Sequence, residues 1–246
     1  DWSVEKAFEF IEQSKNEPFY LYFSTTLHHG PTPKNIQVSL KADPRMTGEG
    51  FVEQGFSDLP ARQDVLARNK AAGYKDNMAH ALWLDDGVGA IIDKIKQLKL
   101  EQETLIIFTS DHGSYRHGKA TLYDYGMRVP FIMTWPGTIA PESKYDGLLA
   151  NIDLVPTLLD IAGVATLPEH EIDGVSFKDV LEGKNVTVRD VVYSEFGHSR
   201  AIKTKEWKYI AVRYPDKIQN KIDKGVKFKP FKKGQPFLEL PYISRN

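Results

Sequence analysis

The chain has 246 residues, of which 41% are hydrophobic and 26% are charged, and it contains no cysteine. This composition is typical of a globular protein and excludes a disordered chain or a coiled coil. The lack of cysteine excludes disulfides, thiolate metal sites and a cysteine nucleophile within this sequence. No apolar run approaches the roughly 18 residues that a membrane span needs, so no membrane partner is expected.

The formal net charge of −1 conceals an uneven distribution of charge along the sequence. Residues 200–246 contain 13 Lys and Arg against 4 Asp and Glu, whereas residues 1–199 contain 19 against 29. A basic end of this kind binds a polyanion or forms a solvated lysine-rich surface. Nucleic acid is not expected as the partner, because the basic end has neither a recognisable helix nor an aromatic platform.

The first 60 residues predict a helix, a buried strand and a long loop. Ser3 is a candidate helix cap, and the apolar residues that follow it recur at helical spacing. Residues 19–24, FYLYFS, are typical of a short and fully buried strand that ends in a polar loop. Residues 30–60 are rich in Gly and Pro and predict a long functional loop.

The middle of the chain predicts alternating helices and strands. Helices are expected over 61–72 and 76–98, and strands over 104–109 and 129–135. Asp153 is expected to cap a short helix that Gly163 closes, and a further strand is expected over 191–194. This alternation is typical of an α/β sheet covered by helices on both faces.

The end of the chain has a different pattern. Residues 201–204 and 207–212 predict an antiparallel strand pair joined by a tight polar turn. We therefore expect two domains, residues 1–199 as part of an α/β domain and residues 200–246 as the start of a smaller antiparallel β subdomain with a basic tail.

The residues that follow the strand at 104–109 carry the strongest chemical signal. Asp111 and His112 stand directly after it, where ligands bind in open α/β sheets. A carboxylate and an imidazole at this place can hold a divalent cation, although Asp-His-Gly is also a common turn. Lys119 follows closely and suits an anionic substrate group. The alternative is a surface lysine beside a glycine turn.

A second candidate group lies at the end of the strand at 19–24. If the two strands are neighbours in a parallel sheet, His28 and His29 reach the same edge as Asp111. A histidine there can donate a hydrogen bond to a substrate oxygen or protonate a leaving group. The alternative is an ordinary polar loop residue.

Residues 110–137, SDHGSYRHGKATLYDYGMRVPFIMTWPG, resemble the second signature region of the type I sulfatases in the alkaline-phosphatase-like superfamily. The resemblance continues in family order through PFYLYFSTTLHHGP, ALWLDDGVGAIIDKIKQLKL, NIDLVPTLLDIAGV, IDGVSF and AIKTKEWKYI. It spans roughly residues 1–212 and implies a mostly parallel sheet flanked by helices, of which this chain holds the C-terminal half.

The resemblance also implies roles for individual residues. Asp111 and His112 would be ligands of a calcium ion, although many family members have Asn in place of His112. Because calcium prefers oxygen ligands and imidazole suits Zn²⁺ or Mn²⁺, these two ions are the alternatives. Lys119 would bind the sulfate, and His29 would be a second sulfate-contacting or acid residue. Loop position, and not the resemblance, makes Arg116, His117, His198 and Arg200 the residues expected to contact the sugar, and the alternative is that they only decorate surface loops.

One family feature is missing. The nucleophile of these enzymes is a formylglycine made from a Cys/Ser-x-Pro/Ala-x-Arg motif, and this sequence has no such motif. The resemblance therefore implies that the N-terminal half of the same sulfatase is required for folding and for catalysis, either as a partner chain or because the sequence is partial. It also implies a sulfated saccharide as substrate and an extracellular or periplasmic location. Two alternatives stay open, a phosphomonoester or phosphonate hydrolase of the same superfamily and a non-catalytic glycan-binding module.

Overall fold

The computed structural model describes residues 1–27, 29, 33–56, 59–113, 119, 121–164 and 172–226. The chain forms two compact units, Asp1–Thr104 and Leu105–Asn246. None of the helices in the described part is long and apolar enough to cross a bilayer.

The first unit is mainly helical. Its helices are α1 (Trp2–Ser14), α2 (Pro33–Lys41), α3 (Arg62–Ala71) and α4 (Ala79–Gln97), with a 3-10 turn at Asp76–Met78 before α4. A small antiparallel ladder joins β1 (Met46–Thr47) to β2 (Gly50–Phe51). The core forms where α2, α3 and α4 meet, and it contains Ile36, Leu40, Val65, Ala79 and Trp83.

Three predictions for this unit need correction. Ser3 was predicted as the cap of the first helix, but that helix begins at Trp2 and Asp1 occupies the capping position. The long loop predicted over 30–60 contains α2 and the β1–β2 ladder, because Ile36 and Leu40 lie four residues apart and bury one helical face.

The buried strand predicted over 19–24 does not form. The segment has no ladder partner among the described residues, and Tyr20 and Tyr22 are 68% and 79% exposed. A strand is stabilised only when a neighbouring strand satisfies its backbone groups, so an apolar run without a neighbour stays outside a sheet.

The second unit combines short strands and helices. The strands are β3 (Ile106–Thr109), β4 (Phe131–Thr134), β5 (Val192–Phe196), β6 (Ser199–Lys203) and β7 (Lys208–Val212). The helices are α5 (Asp124–Met127), α6 (Leu154–Ile161), α7 (Lys178–Leu181) and α8 (Asp216–Asp223), with a 3-10 turn at Asn151–Asp153.

Every strand pair in the described ranges is antiparallel: β1 with β2, β3 with β4, β5 with β6, and β6 with β7. The mostly parallel sheet implied by the resemblance refers to the complete fold, of which this chain was expected to hold the C-terminal half. Hydrophobic runs locate strands but do not give their direction, and the long connection between β3 and β4 permits either direction. The predicted hairpin of β6 and β7 is confirmed, and β5 pairs with β6 on the side away from β7.

A buried carboxylate organises the centre of the second unit. Asp153 is fully buried and accepts hydrogen bonds from the backbone N–H groups of Ala150 and Val175, each at 2.8 Å. It also accepts one from Arg189 Nε at 2.8 Å and another from Arg189 Nη2. Asp153 occupies the N-cap position of α6 as predicted, but its carboxylate makes no capping hydrogen bond to α6 and links the start of that helix to two later segments of the chain.

The predicted domain boundary at residues 199 and 200 falls within the sheet formed by β5, β6 and β7. That boundary stays a prediction about the complete fold.

Candidate active site

The strand β3 ends in a tight turn that presents Asp111 and His112. Ser110 Oγ donates a hydrogen bond to the His112 carbonyl oxygen at 3.1 Å, which closes the turn. The side chain of Asp111 is 85% exposed and that of His112 is 28% exposed. The carboxylate is therefore available to an ion, while the imidazole is held against the protein.

The hydrogen bond of His112 fixes which ring nitrogen carries the proton. Nδ1 lies 2.6 Å from the Gly113 carbonyl oxygen, and a carbonyl can only accept. Nδ1 is therefore the donor, and in the neutral ring the lone pair is on Nε2. A histidine that ligates a metal through one nitrogen commonly donates its other N–H to a backbone carbonyl.

The two side chains fit adjacent ligand positions of one divalent cation. Asp111 Oδ2 lies 3.6 Å from His112 Nε2, which is too long for a strong hydrogen bond. Two neighbouring ligands of a calcium ion lie about 3.4 Å apart, given calcium–ligand distances of about 2.4 Å. A cation between the two atoms would also remove the repulsion between their lone pairs.

These two residues do not complete a metal site. No group of three or more His, Cys, Asp or Glu side chains suited to a metal occurs among the described residues. Calcium takes six to eight oxygen ligands, so further ligands must come from elsewhere. The nitrogen of His112 is also an ordinary ligand for zinc or manganese, so the pair fits a divalent cation without selecting one.

The turn is packed closely against α5. The Gly113 N–H donates to the Gly126 carbonyl oxygen at 2.9 Å. A Cβ atom at position 113 would lie 2.1 Å from the Tyr125 carbonyl oxygen, so only glycine allows this approach. The glycine of the Asp-His-Gly motif is thus explained by packing.

Lys119 lies in an exposed turn on the connection between Gly113 and α5, in the same unit as Asp111 and His112. Its exposure is compatible with the predicted contact to an anion. Arg116 and His117, which were predicted to contact the sugar, lie outside the described residues.

The other predicted sugar contacts belong to the sheet of β5, β6 and β7. His198 lies in the two-residue turn between β5 and β6, and its ring packs edge-on against Tyr214 at 5.8 Å. Arg200 was predicted in a loop but lies on β6. Its guanidinium donates to the carbonyl oxygens of Gly197 and Ser199 and pairs with Glu195 at 2.9 Å. Arg200 is therefore engaged with the β5–β6 pair, whereas His198 packs against a residue that follows β7.

His29 belongs to the first unit, where it is exposed. Its backbone N–H donates to the Thr26 carbonyl oxygen at 3.2 Å. His28 lies outside the described residues. The role of His29 stays a prediction.

Sequence reasoning missed the ionic contacts of Asp124, the first residue of α5. Lys208 Nζ lies 2.8 Å from Asp124 Oδ1, and Lys203 Nζ lies 3.4 Å from Asp124 Oδ2. A signal was present in the sequence, because a predicted hairpin over 201–212 places two lysines opposite each other, and a nearby anion lowers the repulsion between such like charges.

Comparison with known proteins decides the family. The sequence profile of the Sulfatase family matches residues 3–164, and a profile described as N-sulphoglucosamine sulphohydrolase, C-terminal, matches residues 110–223. The chain belongs to the sulfatase family. The resemblance inferred from residues 110–137 is therefore confirmed.

Two relatives show the kinds of sulfatase that this chain is similar to. It is 39% identical over 208 residues to an ulvan-active sulfatase of Formosa agariphila, covering 80% of this chain and 38% of the relative. It is 28% identical over 233 residues to an N-acetylgalactosamine-6-O-sulfatase of Bacteroides thetaiotaomicron, covering 85% of this chain and 40% of the relative. The chain thus spans less than half the length of these relatives.

The fold is also shared with a solved structure, described in connection with glycosaminoglycan metabolism by Bacteroides thetaiotaomicron. The match has a TM-score of 0.60 at 26% identity and covers 85% of this chain and 42% of that one. The predicted alkaline-phosphatase-like α/β class is confirmed by this likeness.

Proposed function

We propose that the protein hydrolyses sulfate esters of a sulfated carbohydrate and that this sulfatase chain supplies part of its active site. The observation that carries the proposal is the turn after β3, where His112 Nδ1 donates to the Gly113 carbonyl and Nε2 faces Asp111. In a chain of this family, that arrangement suits two ligands of the catalytic cation.

Each residue of the site has a distinct proposed role. Asp111 and His112 hold the cation, which when bound stabilises negative charge on the sulfate oxygens. Lys119 binds the sulfate and stabilises charge on the leaving oxygen as the S–O bond breaks. His29 donates a proton to the departing alcohol. His198, Arg200, Arg116 and His117 contribute to the saccharide site.

The nucleophile is proposed to come from an N-terminal half that this sequence does not contain. The sequence has no cysteine and no Cys/Ser-x-Pro/Ala-x-Arg motif from which a formylglycine is made. The two-stranded β3–β4 ladder also needs further strands, because two strands alone are marginally stable in water. We propose that the N-terminal half supplies the nucleophile, the remaining metal ligands and neighbouring strands.

A saccharide is the preferred substrate class for two reasons. Relatives named for ulvan and for N-acetylgalactosamine 6-O-sulfate are similar to most of this chain. The basic residues 200–246 would also favour an anionic polymer. An extracellular or periplasmic location would give the enzyme access to such polymers.

Substitution of Lys119 tests the proposal. In the full-length protein, Lys119→Ala should lower kcat/KM for sulfate release from a sulfated oligosaccharide by about 100-fold to 1,000-fold, because one charged donor to the reacting group is lost. Lys144→Ala, at another exposed lysine of the same unit, is the control and should retain activity. Equal activity of the two variants would remove Lys119 from the mechanism.

A phosphomonoester or phosphonate hydrolase is the second candidate. It is favoured only by the nitrogen ligand of His112, since zinc and manganese accept imidazole more readily than calcium does. Metal analysis and assays with both ester types separate the two functions. Bound zinc or manganese with phosphatase activity and no sulfate release would overturn the sulfatase proposal.

A further inference from the structure

The candidate metal-binding turn is supported by a helix too short to be stable alone. The helix α5 has a single turn, and the N–H groups of Gly126 and Met127 donate to the carbonyl oxygen of Tyr123, the residue before the helix, at 2.8 Å and 3.0 Å. Helices of this length are not stable in water without outside contacts. The position of the Gly126 carbonyl, which accepts from Gly113, therefore depends on what holds α5.

Two lysines of the C-terminal hairpin hold its first residue. Asp124 begins α5, and its two carboxylate oxygens contact Lys208 at 2.8 Å and Lys203 at 3.4 Å. Lys203 and Lys208 are directly opposed in the β6–β7 register, where two like charges repel each other. Asp124 relieves that repulsion, so the contact favours both the hairpin and α5.

The two lysines that pair with Asp124 are partly shielded from solvent, while the side chain of Asp124 is 44% exposed. The side chains of Lys208 and Lys203 are 16% and 30% exposed. The hydrogen bond from Lys208 holds the pKa of Asp124 below its ordinary value, so the carboxylate is charged at neutral pH. Charge-assisted hydrogen bonds of this kind are stronger than neutral ones.

We propose that Asp124, held by Lys203 and Lys208, is a positioning residue that fixes α5 against the turn carrying Asp111 and His112. The contacts that support the turn begin at the β6–β7 hairpin, where the two lysines hold Asp124 of α5. They continue from the Gly126 carbonyl oxygen of α5 to the Gly113 N–H of the turn. Its meaning for catalysis rests on the proposed function, since the turn matters to the reaction only if Asp111 and His112 bind the cation.

A competing anchor for α5 exists and makes the proposal testable. Leu122, two residues before α5, is almost fully buried. If Leu122 alone fixes the helix, the charge of Asp124 has no effect on Gly113. If the ion pairs fix it, removing the charge loosens the Gly113–Gly126 hydrogen bond while the rest of the unit stays folded.

The direct readout is site-resolved hydrogen exchange of the Gly113 amide in the full-length protein. Asp124→Asn should raise its exchange rate about tenfold, because a charge-assisted contact is lost and local opening becomes easier. Asp124→Glu should stay within about twofold of the wild type, since it restores the charge. The Phe177 amide, which donates to Thr157 Oγ1 at 3.0 Å, reports whether the unit remains folded.

The matched control is Asp179→Asn, which removes a 2.7 Å ion pair with Lys184 elsewhere in the same unit. It should leave Gly113 exchange unchanged. If Asp124→Asn lowers the protection of Phe177 as well, Lys208→Met provides a milder test, because Lys203 remains. Unchanged Gly113 exchange in both Asp124→Asn and Lys208→Met would overturn the proposal.

Two further measurements separate positioning from a merely structural role. The Ca²⁺ concentration that gives half of the maximal thermal stabilisation should rise about tenfold in Asp124→Asn but not in Asp179→Asn. For sulfate release, kcat should fall more than KM changes, because the reacting groups and not the saccharide contacts are displaced. A wild-type protein that releases no sulfate would refute the proposed function, while the exchange rates would still decide the role of Asp124.

Discussion

The buried pair of Asp153 and Arg189 gives the sharpest prediction about stability. Asp153 is fully buried, and both of its oxygens accept hydrogen bonds, from Ala150 N–H, Val175 N–H and the Arg189 guanidinium. Asp153→Asn preserves the shape but replaces one acceptor oxygen by an NH₂ group. That group must face either a backbone N–H or the guanidinium, so a donor opposes a donor, and Arg189 loses its counter-charge.

The expected loss is about 3 kcal/mol, the lower end for breaking a buried ion pair, because Asn retains one acceptor oxygen. This corresponds to roughly a 150-fold change in the unfolding equilibrium of the second unit. The measurement is urea-dependent hydrogen exchange of the Phe177 amide in the full-length protein. Asp160→Asn, at a solvent-exposed position of the adjoining helix α6, is the control and should have little effect.

The pH dependence of the folding stability provides a second check on the pair of Asp153 and Arg189. Burial alone would raise the pKa of Asp153, but the hydrogen bonds from Arg189, Val175 and Ala150 outweigh it and lower the pKa below its ordinary value of 3.8. A carboxyl whose folded pKa is depressed stabilises the fold fully above the unfolded pKa, and the contribution is lost as pH falls through the folded pKa. The difference between wild type and Asp153→Asn should therefore shrink below about pH 4. A loss under about 1 kcal/mol at neutral pH, or a difference that grows in acid, would refute this reasoning.

Two glycine substitutions give further predictions. Gly113→Ala would place a Cβ 2.1 Å from the Tyr125 carbonyl oxygen, so α5 must move away and Ca²⁺-dependent thermal stabilisation should require about tenfold more Ca²⁺. Gly174→Ala would place a Cβ 1.9 Å from the Ile152 carbonyl oxygen, beside Val175, which donates to Asp153. The loss of stability, measured by hydrogen exchange of the Phe177 amide, should be larger for Gly174→Ala than for Gly183→Ala. At Gly183 the backbone has φ +79°, but no atom lies within 4 Å of the added Cβ.

Local patterns predicted those elements whose stability depends on their own residues. The helix expected over 76–98 is observed as a 3-10 turn followed by α4, and the strands expected over 104–109 and 129–135 are observed as β3 and β4. The spacing of apolar residues in these segments is clear enough to indicate a helix or a strand without knowledge of the neighbouring elements. The helix α2 was missed because its buried face consists of little more than Ile36 and Leu40 within a Gly- and Pro-rich region.

Elements that depend on distant partners could not be predicted in this way. The segment 19–24 has the composition of a buried strand, yet a strand forms only beside another strand, and none in the described part pairs with it. The direction of β4 relative to β3 is likewise a property of the pair and not of either sequence.

In the candidate site, too, the residues of the local motif were predicted from the sequence, whereas the distant groups that hold the turn were not. Asp111, His112 and Lys119 were found because their chemistry and spacing are recognisable in the sequence. The groups that hold the turn in place are not part of its chemistry: the Gly126 carbonyl is backbone, and Asp124 acts through lysines 79 and 84 positions away. A substitution in β6 or β7 can therefore alter the cation site without touching a ligand. The effect of Lys208→Met on Ca²⁺ binding would reveal that dependence, which inspection of the Asp-His-Gly motif alone cannot.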